Sequence, residues 1–193
     1  MEKKLPVIGE QALVLSQDNG KYLRIHGRYT IKQDCLAFDW VNSGISFNFS
    51  GTGFILSFGS YSADQPAYVK VFLDGVEQRF AITNGSEKII YENLAEKRHR
   101  VTILRITEGS TPLLFKDLVF MGMEYKVMAP PFDKPRKIEF LGDSITCGYG
   151  VIANPSETSY YTYQQDSTMT YAYFTAKELD ADAHYECISG KGI

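Results

Sequence analysis

A change of hydrophobic period part-way along the chain narrows the possible folds more than any other feature. From about residue 10 to 125, apolar and polar residues alternate with period two. Ile45, Phe47 and Phe49 alternate with Ser46 and Asn48. Phe54, Leu56 and Phe58 follow the turn Ser50-Gly51-Thr52-Gly53, and Val69, Val71 and Leu73 precede Asp74-Gly75. Successive side chains of a strand point to opposite faces, so this pattern reads as half-buried strands. Asp74-Gly75 lies between two such runs. Asn84-Gly85 separates Phe80-Ala81-Ile82 from Ile89-Ile90-Tyr91. Both pairs predict hairpins, because a type I′ turn needs positive φ at both central residues. Val101, Ile103 and Arg105, then 113–121, add later strands. Many short strands with no convincing helix predict an all-β, antiparallel sandwich of jelly-roll type.

The pattern breaks at Val127-Met128-Ala129-Pro130-Pro131-Phe132-Asp133-Lys134-Pro135-Arg136. Three prolines in this stretch cannot sit in a central strand, so it reads as a linker. Beyond it, 137–142 reads as a strand ending in Gly142-Asp143-Ser144, and a polar loop covers about 148 to 166. Ser167 to Asp180 reads as a helix with Met169, Ala172, Ala176 and Leu179 on one stripe and Asp166 or Ser167 as its N-cap. His184 to Ile188 reads as a second strand, ending in Ser189-Gly190-Lys191-Gly192. Strand, helix, strand is the first βαβ unit of an α/β parallel sheet. The predicted organisation is a β-sandwich over 1–126, a proline-rich linker over 127–136, and an α/β segment over 137–193.

Composition matters mainly for what it excludes. A net charge of −3 supplies no basic footprint for nucleic acid and no polybasic membrane signal. Hydrophobic runs fall short of the ~20 residues a membrane helix needs. No signal peptide is visible behind Met1-Glu2-Lys3-Lys4. A cytoplasmic location follows if Met1 is native, and a secreted or periplasmic one if a leader has been removed. Cys35, Cys147 and Cys187 are too scattered for a disulfide framework or a zinc site and read as buried thiols, with Cys147 placed to be partly exposed beside the Gly-Asp-Ser turn.

A serine at the C-terminal end of a parallel strand sits where open α/β sheets bind ligands. Its hydroxyl is lifted out of the sheet, and backbone N–H groups nearby are free to face a developing oxyanion. The tripeptide alone is weak evidence. Its context strengthens it, because a second strand ending in Ser189-Gly190 would bring two turns side by side at one sheet edge.

Phe140-Leu141-Gly142-Asp143-Ser144-Ile145-Thr146-Cys147-Gly148-Tyr149-Gly150 resembles the first signature block of SGNH/GDSL hydrolases, and Ile188-Ser189-Gly190-Lys191-Gly192 resembles the second. The preceding sandwich is similar to that of the two-domain carbohydrate esterases of family 2, which deacetylate plant polysaccharides. Its matching stretches include Gly27-Arg28-Tyr29, Phe38-Asp39-Trp40 with Ser43-Gly44-Ile45, Phe49-Ser50-Gly51-Thr52, and Arg98-His99-Arg100-Val101-Thr102-Ile103 before Thr107-Glu108. The resemblance implies a flavodoxin-like α/β domain and a serine esterase for acetylated oligo- or polysaccharides, with no metal or organic cofactor. In it Ser144 is the nucleophile, the Ser144 and Gly190 amides bind the oxyanion, and Asp143, beside Gly142, is structural, hydrogen-bonding neighbouring loops.

The family's later blocks, Gly-x-Asn-Asp and Asp-x-x-His, do not occur here. Asp180-Ala181-Asp182-Ala183-His184 has the wrong spacing and the wrong place in the order. A serine without its base is a weak nucleophile, so the chain alone is expected to be nearly inactive. A lone βαβ unit also leaves a sheet face and two edges uncovered. The expectation is therefore an incomplete hydrolase domain, completed by a C-terminal fragment or a second chain that supplies the Asn and His.

Other residues carry plainer readings. His184 reads as a strand residue, and His26 and His99 as sandwich histidines. Trp40 reads as core before it reads as a sugar platform. Tyr160, Tyr161 and Tyr163 either line the substrate cleft or pack their own loop. Glu96-Lys97-Arg98 with Arg100 reads as a solvated turn. The competing functional reading is a non-catalytic carbohydrate-binding or interaction sandwich with a vestigial hydrolase segment.

Overall fold

The computed structural model describes residues 13–18, 20–59, 66–83, 87–109 and 112–191. Two six-stranded antiparallel sheets face each other across one apolar core. The strands are β1 (Leu13–Val14), β2 (Leu23–His26), β3 (Thr30–Lys32), β4 (Cys35–Phe38), β5 (Gly44–Gly51), β6 (Gly53–Phe58), β7 (Ala67–Leu73), β8 (Val76–Ile82), β9 (Lys88–Tyr91), β10 (Lys97–Arg105), β11 (Leu113–Met121) and β12 (Lys126–Met128). One sheet runs β3-β4-β11-β6-β9 with β1 on β11; the other runs β12-β5-β10-β7-β8 with β2 on β5.

The alternation read from the sequence sets which side chains meet. Ile45, Phe47 and Phe49 of β5 are fully buried and face the opposite sheet, where Phe47 and Phe54 meet edge-on at 5.3 Å. β10 aligns with β5 so that Val101 opposes Phe47 and Ile103 opposes Ile45. Burying each such side chain contributes roughly 1.5–3 kcal/mol.

Asp74-Gly75 closes the β7–β8 hairpin with φ of +52° and +88°, as a type I′ turn requires. The second hairpin expectation fails. β8 pairs with β7 and β9 with β6, so Phe80-Ala81-Ile82 and Ile89-Ile90-Tyr91 lie in different sheets. The Asn84-Gly85 turn itself lies outside the described residues. Gly51-Thr52-Gly53 is likewise a corner between sheets. The proline-rich stretch also begins later than expected: Val127 and Met128 pair with Phe49 and Asn48 as part of edge strand β12, and the first proline follows it. An edge strand tolerates such a neighbour because one of its edges is unpaired.

The remaining residues build a smaller layer. β13 (Arg136–Gly142) and β14 (Ala181–Cys187) pair in parallel, from Arg136 opposite Ala181 to Gly142 opposite Cys187. Between them lie α1 (Ser144–Cys147) and α2 (Tyr171–Glu178). α2 is shorter than the helix expected from Ser167. Ser167–Met169 form a 3₁₀ turn capped by Asp166, and Thr170 caps α2 through its side-chain oxygen. The expected stripe shrinks accordingly, with Ala172 and Ala176 buried but Met169 and Leu179 exposed. The second strand starts at Ala181 rather than His184, and Ile188 lies beyond its end.

This layer covers the outer face of the sheet containing β5. Val41 of the sandwich joins Cys147, Ala172, Tyr185 and Cys187 in a second apolar cluster. Lys70 of β7 pairs with Asp166 at 2.9 Å, both side chains being about 5% exposed. Arg24 of β2 pairs with Asp182 of β14, and Arg79 of β8 donates to the carbonyls of Tyr163 and Gln165. Among the described residues, no helix is long and apolar enough to cross a membrane.

Candidate active site

Ser144 opens α1 directly after β13, the position expected for it. The turn is tight for reasons its sequence explains. At Gly142 a Cβ would fall 2.1 Å from Thr146 Oγ1, and at Gly148 (φ +79°) a Cβ would fall 2.6 Å from the Asp166 carbonyl oxygen, so both positions require glycine. The Asp143 carboxylate accepts the Ile145 N–H at 3.0 Å, capping its own short helix. The Tyr149 N–H donates to the Ser144 carbonyl at 2.9 Å. Ser144 is half-buried, and among the described residues neither its hydroxyl nor its amide donates to another protein group.

The second turn lies alongside. The Ile188 N–H donates to the Gly142 carbonyl at 3.2 Å, extending the β13–β14 pairing into the two turns. Gly190 is exposed with φ +76°, and its amide has no partner among the described residues. Two turns with unengaged amides thus sit at the C-terminal ends of adjacent parallel strands. Leu141, Gly142, Asp143, Ile145, Thr146, Tyr171 and Lys191 line an open cavity of about 300 Å³ beside them.

Tyr160, Tyr161 and Tyr163 are not among the residues that line this cavity. Tyr160 stacks on Tyr149 at 3.5 Å, Tyr161 stacks on Tyr163 at 5.6 Å, and Tyr171 is the tyrosine at the cavity wall. The Tyr160 hydroxyl donates to Gln165 Oε1, and burial raises its pKa.

Cys147 is fully buried, against the expectation of partial exposure. A hydrogen bond with Cys187 and then burial push its thiol far up, so it stays protonated at neutral pH. All three cysteines are buried and free.

None of the three histidines stands at Ser144. His184 is exposed on β14. His99 is buried between Asp74 and the Ala95 carbonyl. His26 contacts Ser46 Oγ at 2.6 Å where the two layers meet. Trp40 is half-buried, in the turn just before Val41. Among the described residues, no three potential metal ligands cluster.

The residue the sequence reading passed over is Glu108, noted there only as part of a matching stretch. It leaves the sandwich three residues after β10, and its Oε1 accepts the Ser189 N–H at 2.7 Å while its Oε2 accepts the Ser189 hydroxyl. Nothing local in the sequence signals a contact across 81 positions.

Residues 25–131 match the family model described as carbohydrate esterase 2 N-terminal. The chain belongs to this family. The cellulase/esterase CelE of Acetivibrio thermocellus is similar to it at 32% identity over 160 residues, covering 80% of this chain and 19% of that protein. An acetylxylan esterase / glucomannan deacetylase of Cellvibrio japonicus is 34% identical over 58% of this chain and 32% of its own length. Among solved structures, a family two carbohydrate esterase from Clostridium thermocellum, determined in complex with cellohexaose, superposes with a TM-score of 0.80 at 29% identity, covering 88% of this chain and 52% of that one. The acetyl xylan esterase Est2A from Butyrivibrio proteoclasticus shares the fold, with a TM-score of 0.83 at 24% identity, over 94% of this chain and 50% of that one. The carbohydrate esterase 2 chain described here therefore spans about half the length of these solved relatives and less of the curated ones.

Proposed function

We propose that this chain carries the nucleophile and part of the oxyanion hole of a serine O-acetyl esterase acting on acetylated oligo- or polysaccharides. The observation that carries the reading is the pairing of Ser144 and Gly190 on adjacent strand ends, with unengaged amides at both. The Ser144 oxygen attacks the acetyl carbonyl carbon, and the two amides stabilise the negative charge that develops on the carbonyl oxygen. The proton that Ser144 loses passes to the His supplied from outside these residues and then to the departing sugar oxygen as the intermediate collapses, leaving an acyl-enzyme that water hydrolyses. The relatives named above as esterases support the ester class, and the cellohexaose complex of one relative supports a carbohydrate partner.

In this reading the sandwich, which runs through β12 to Met128, is a jelly roll, 129–135 is the linker, and the segment from β13 onward is the first βαβ unit of a flavodoxin-like SGNH domain. The Asn and His of the later family blocks come from a segment outside these 193 residues, on the same chain or a companion. Tyr171 and Lys191 flank the acyl-binding cavity.

The test is hydrolysis of p-nitrophenyl acetate and acetylated xylan by the full-length protein and its Ser144→Ala variant. Loss of roughly 10³-fold or more in kcat on substitution is expected. Equal turnover by both forms contradicts the assignment. Sugar binding by residues 1–126 without turnover by the full-length protein would instead favour a binding module.

A further inference from the structure

Among the described residues, nothing packs on Gly190 itself. It is exposed, and a Cβ placed on Gly190 would meet nothing within 4 Å. The backbone contacts of its turn are the Ile188–Gly142 bond and a local one from the Lys191 N–H to the Ile188 carbonyl. Among the described residues, the only side chain that hydrogen-bonds to 188–191 is Glu108, which grips Ser189 through both its N–H and its hydroxyl. Two contacts on one residue fix the Ile188–Ser189 peptide and the Ser189 side chain, and so anchor the residue from which the Gly190 N–H is presented.

Glu108 is itself tied to the other turn. Its N–H donates to Gln165 Oε1 at 3.1 Å. Gln165 is fully buried, and its Nε2 donates at 3.0 Å to the carbonyl of Cys147, the last residue of the helix that Ser144 begins. A continuous hydrogen-bonded path thus joins Ser189 to the nucleophile turn through a carboxylate from the sandwich.

We propose that Glu108 is a positioning residue of the esterase site, setting the Gly190 amide against the Ser144 hydroxyl so that the sandwich completes the oxyanion hole. The proposal rests on the esterase reading above. Oxyanion donors act only when held within a few tenths of an ångström of the developing charge, and a misplacement of about 1 Å costs roughly 10²-fold.

Two readouts test it in the full-length protein: steady-state kinetics on p-nitrophenyl acetate, and hydrogen–deuterium exchange over 186–191. In Glu108→Ala, kcat should fall roughly 10²-fold with KM within about twofold, and exchange at the Ser189 amide, the one Glu108 holds, should rise at least tenfold, while the melting temperature stays near wild type. Glu108→Gln keeps an oxygen for the Ser189 N–H, so most of the rate and protection should return. Wild-type kcat in Glu108→Ala overturns the proposal, as does unchanged exchange at Ser189. A wild-type protein without Ser144-dependent turnover sinks the esterase reading, and the exchange measurement alone then decides whether Glu108 holds the turn.

Discussion

Gly142 and Gly148 announce a tight turn because no side chain fits there, and Ser144 follows from that turn. Glu108 could not be found this way, since its contact with Ser189 exists only once the ends of β10 and β14 are brought together. His26 is a similar case. It sits in a strand that reads as half-exposed, yet burial, and then the charge of Arg24, lower its pKa to about 4. The folded state therefore binds fewer protons than an unfolded chain with a histidine near 6.5. Stability contributed by neutral His26 is fully present above pH 6.5 and is lost as pH falls toward 4, by roughly 3 kcal/mol at most for this part-buried ring. Urea denaturation at pH 7 and pH 4.5 should show that loss in wild type and much less of it in His26→Gln. Equal losses in the two proteins would contradict the assignment. Asp182 contributes lower on the scale. Burial pushes it up, but the Lys134 amide, Arg24 and Lys137 outweigh that and hold it below the usual carboxylate range.

At the scale of elements, period-two alternation identified the strands but not what lies on each face. Ser46 and Asn48 read as solvent-facing, yet they are 1% and 3% exposed. The β13–β14 layer packs over that face, so its polar groups are paired instead: Ser46 with Thr102 at 2.7 Å, and Asn48 with the Ala129 carbonyl at 2.8 Å. Sheet membership was hidden for a related reason. Alternation is the same whether a strand pairs with its predecessor or crosses to the other sheet, which is how β8 and β9 were misjoined. The helix stripe failed at its N-terminal end because Asp166 bends inward to meet Lys70 of β7 and starts a 3₁₀ turn there. Breaking one side of that buried pair leaves a buried charge alone, which typically costs about 3–5 kcal/mol. Lys70→Met should lower stability by that order in chemical denaturation, and adding Asp166→Asn should recover part of it. A Lys70→Met protein as stable as wild type would show that the pair does not hold the loop.

For the whole molecule, sandwich and α/β layer work as one frame. Arg24, Lys70, Arg79 and Glu108 all leave the sandwich to hold segments of the smaller layer, at β14, at 163–166 and at Ser189. Among the described residues the smaller layer comprises β13, β14, the four-residue α1 and the eight-residue α2, and these sandwich contacts tie its loops to the sheet beneath. That dependence accounts for a site at which a sandwich residue contacts the second turn directly. The central claim is that the Ser144 hydroxyl is the group that attacks an ester carbonyl. It is tested most directly by treating the full-length protein with a fluorophosphonate ester and mapping the covalent adduct by peptide mass spectrometry. The account predicts a single adduct on Ser144, blocked by prior incubation with acetylated xylan; labelling elsewhere, or none at Ser144 in a catalytically active sample, would contradict it.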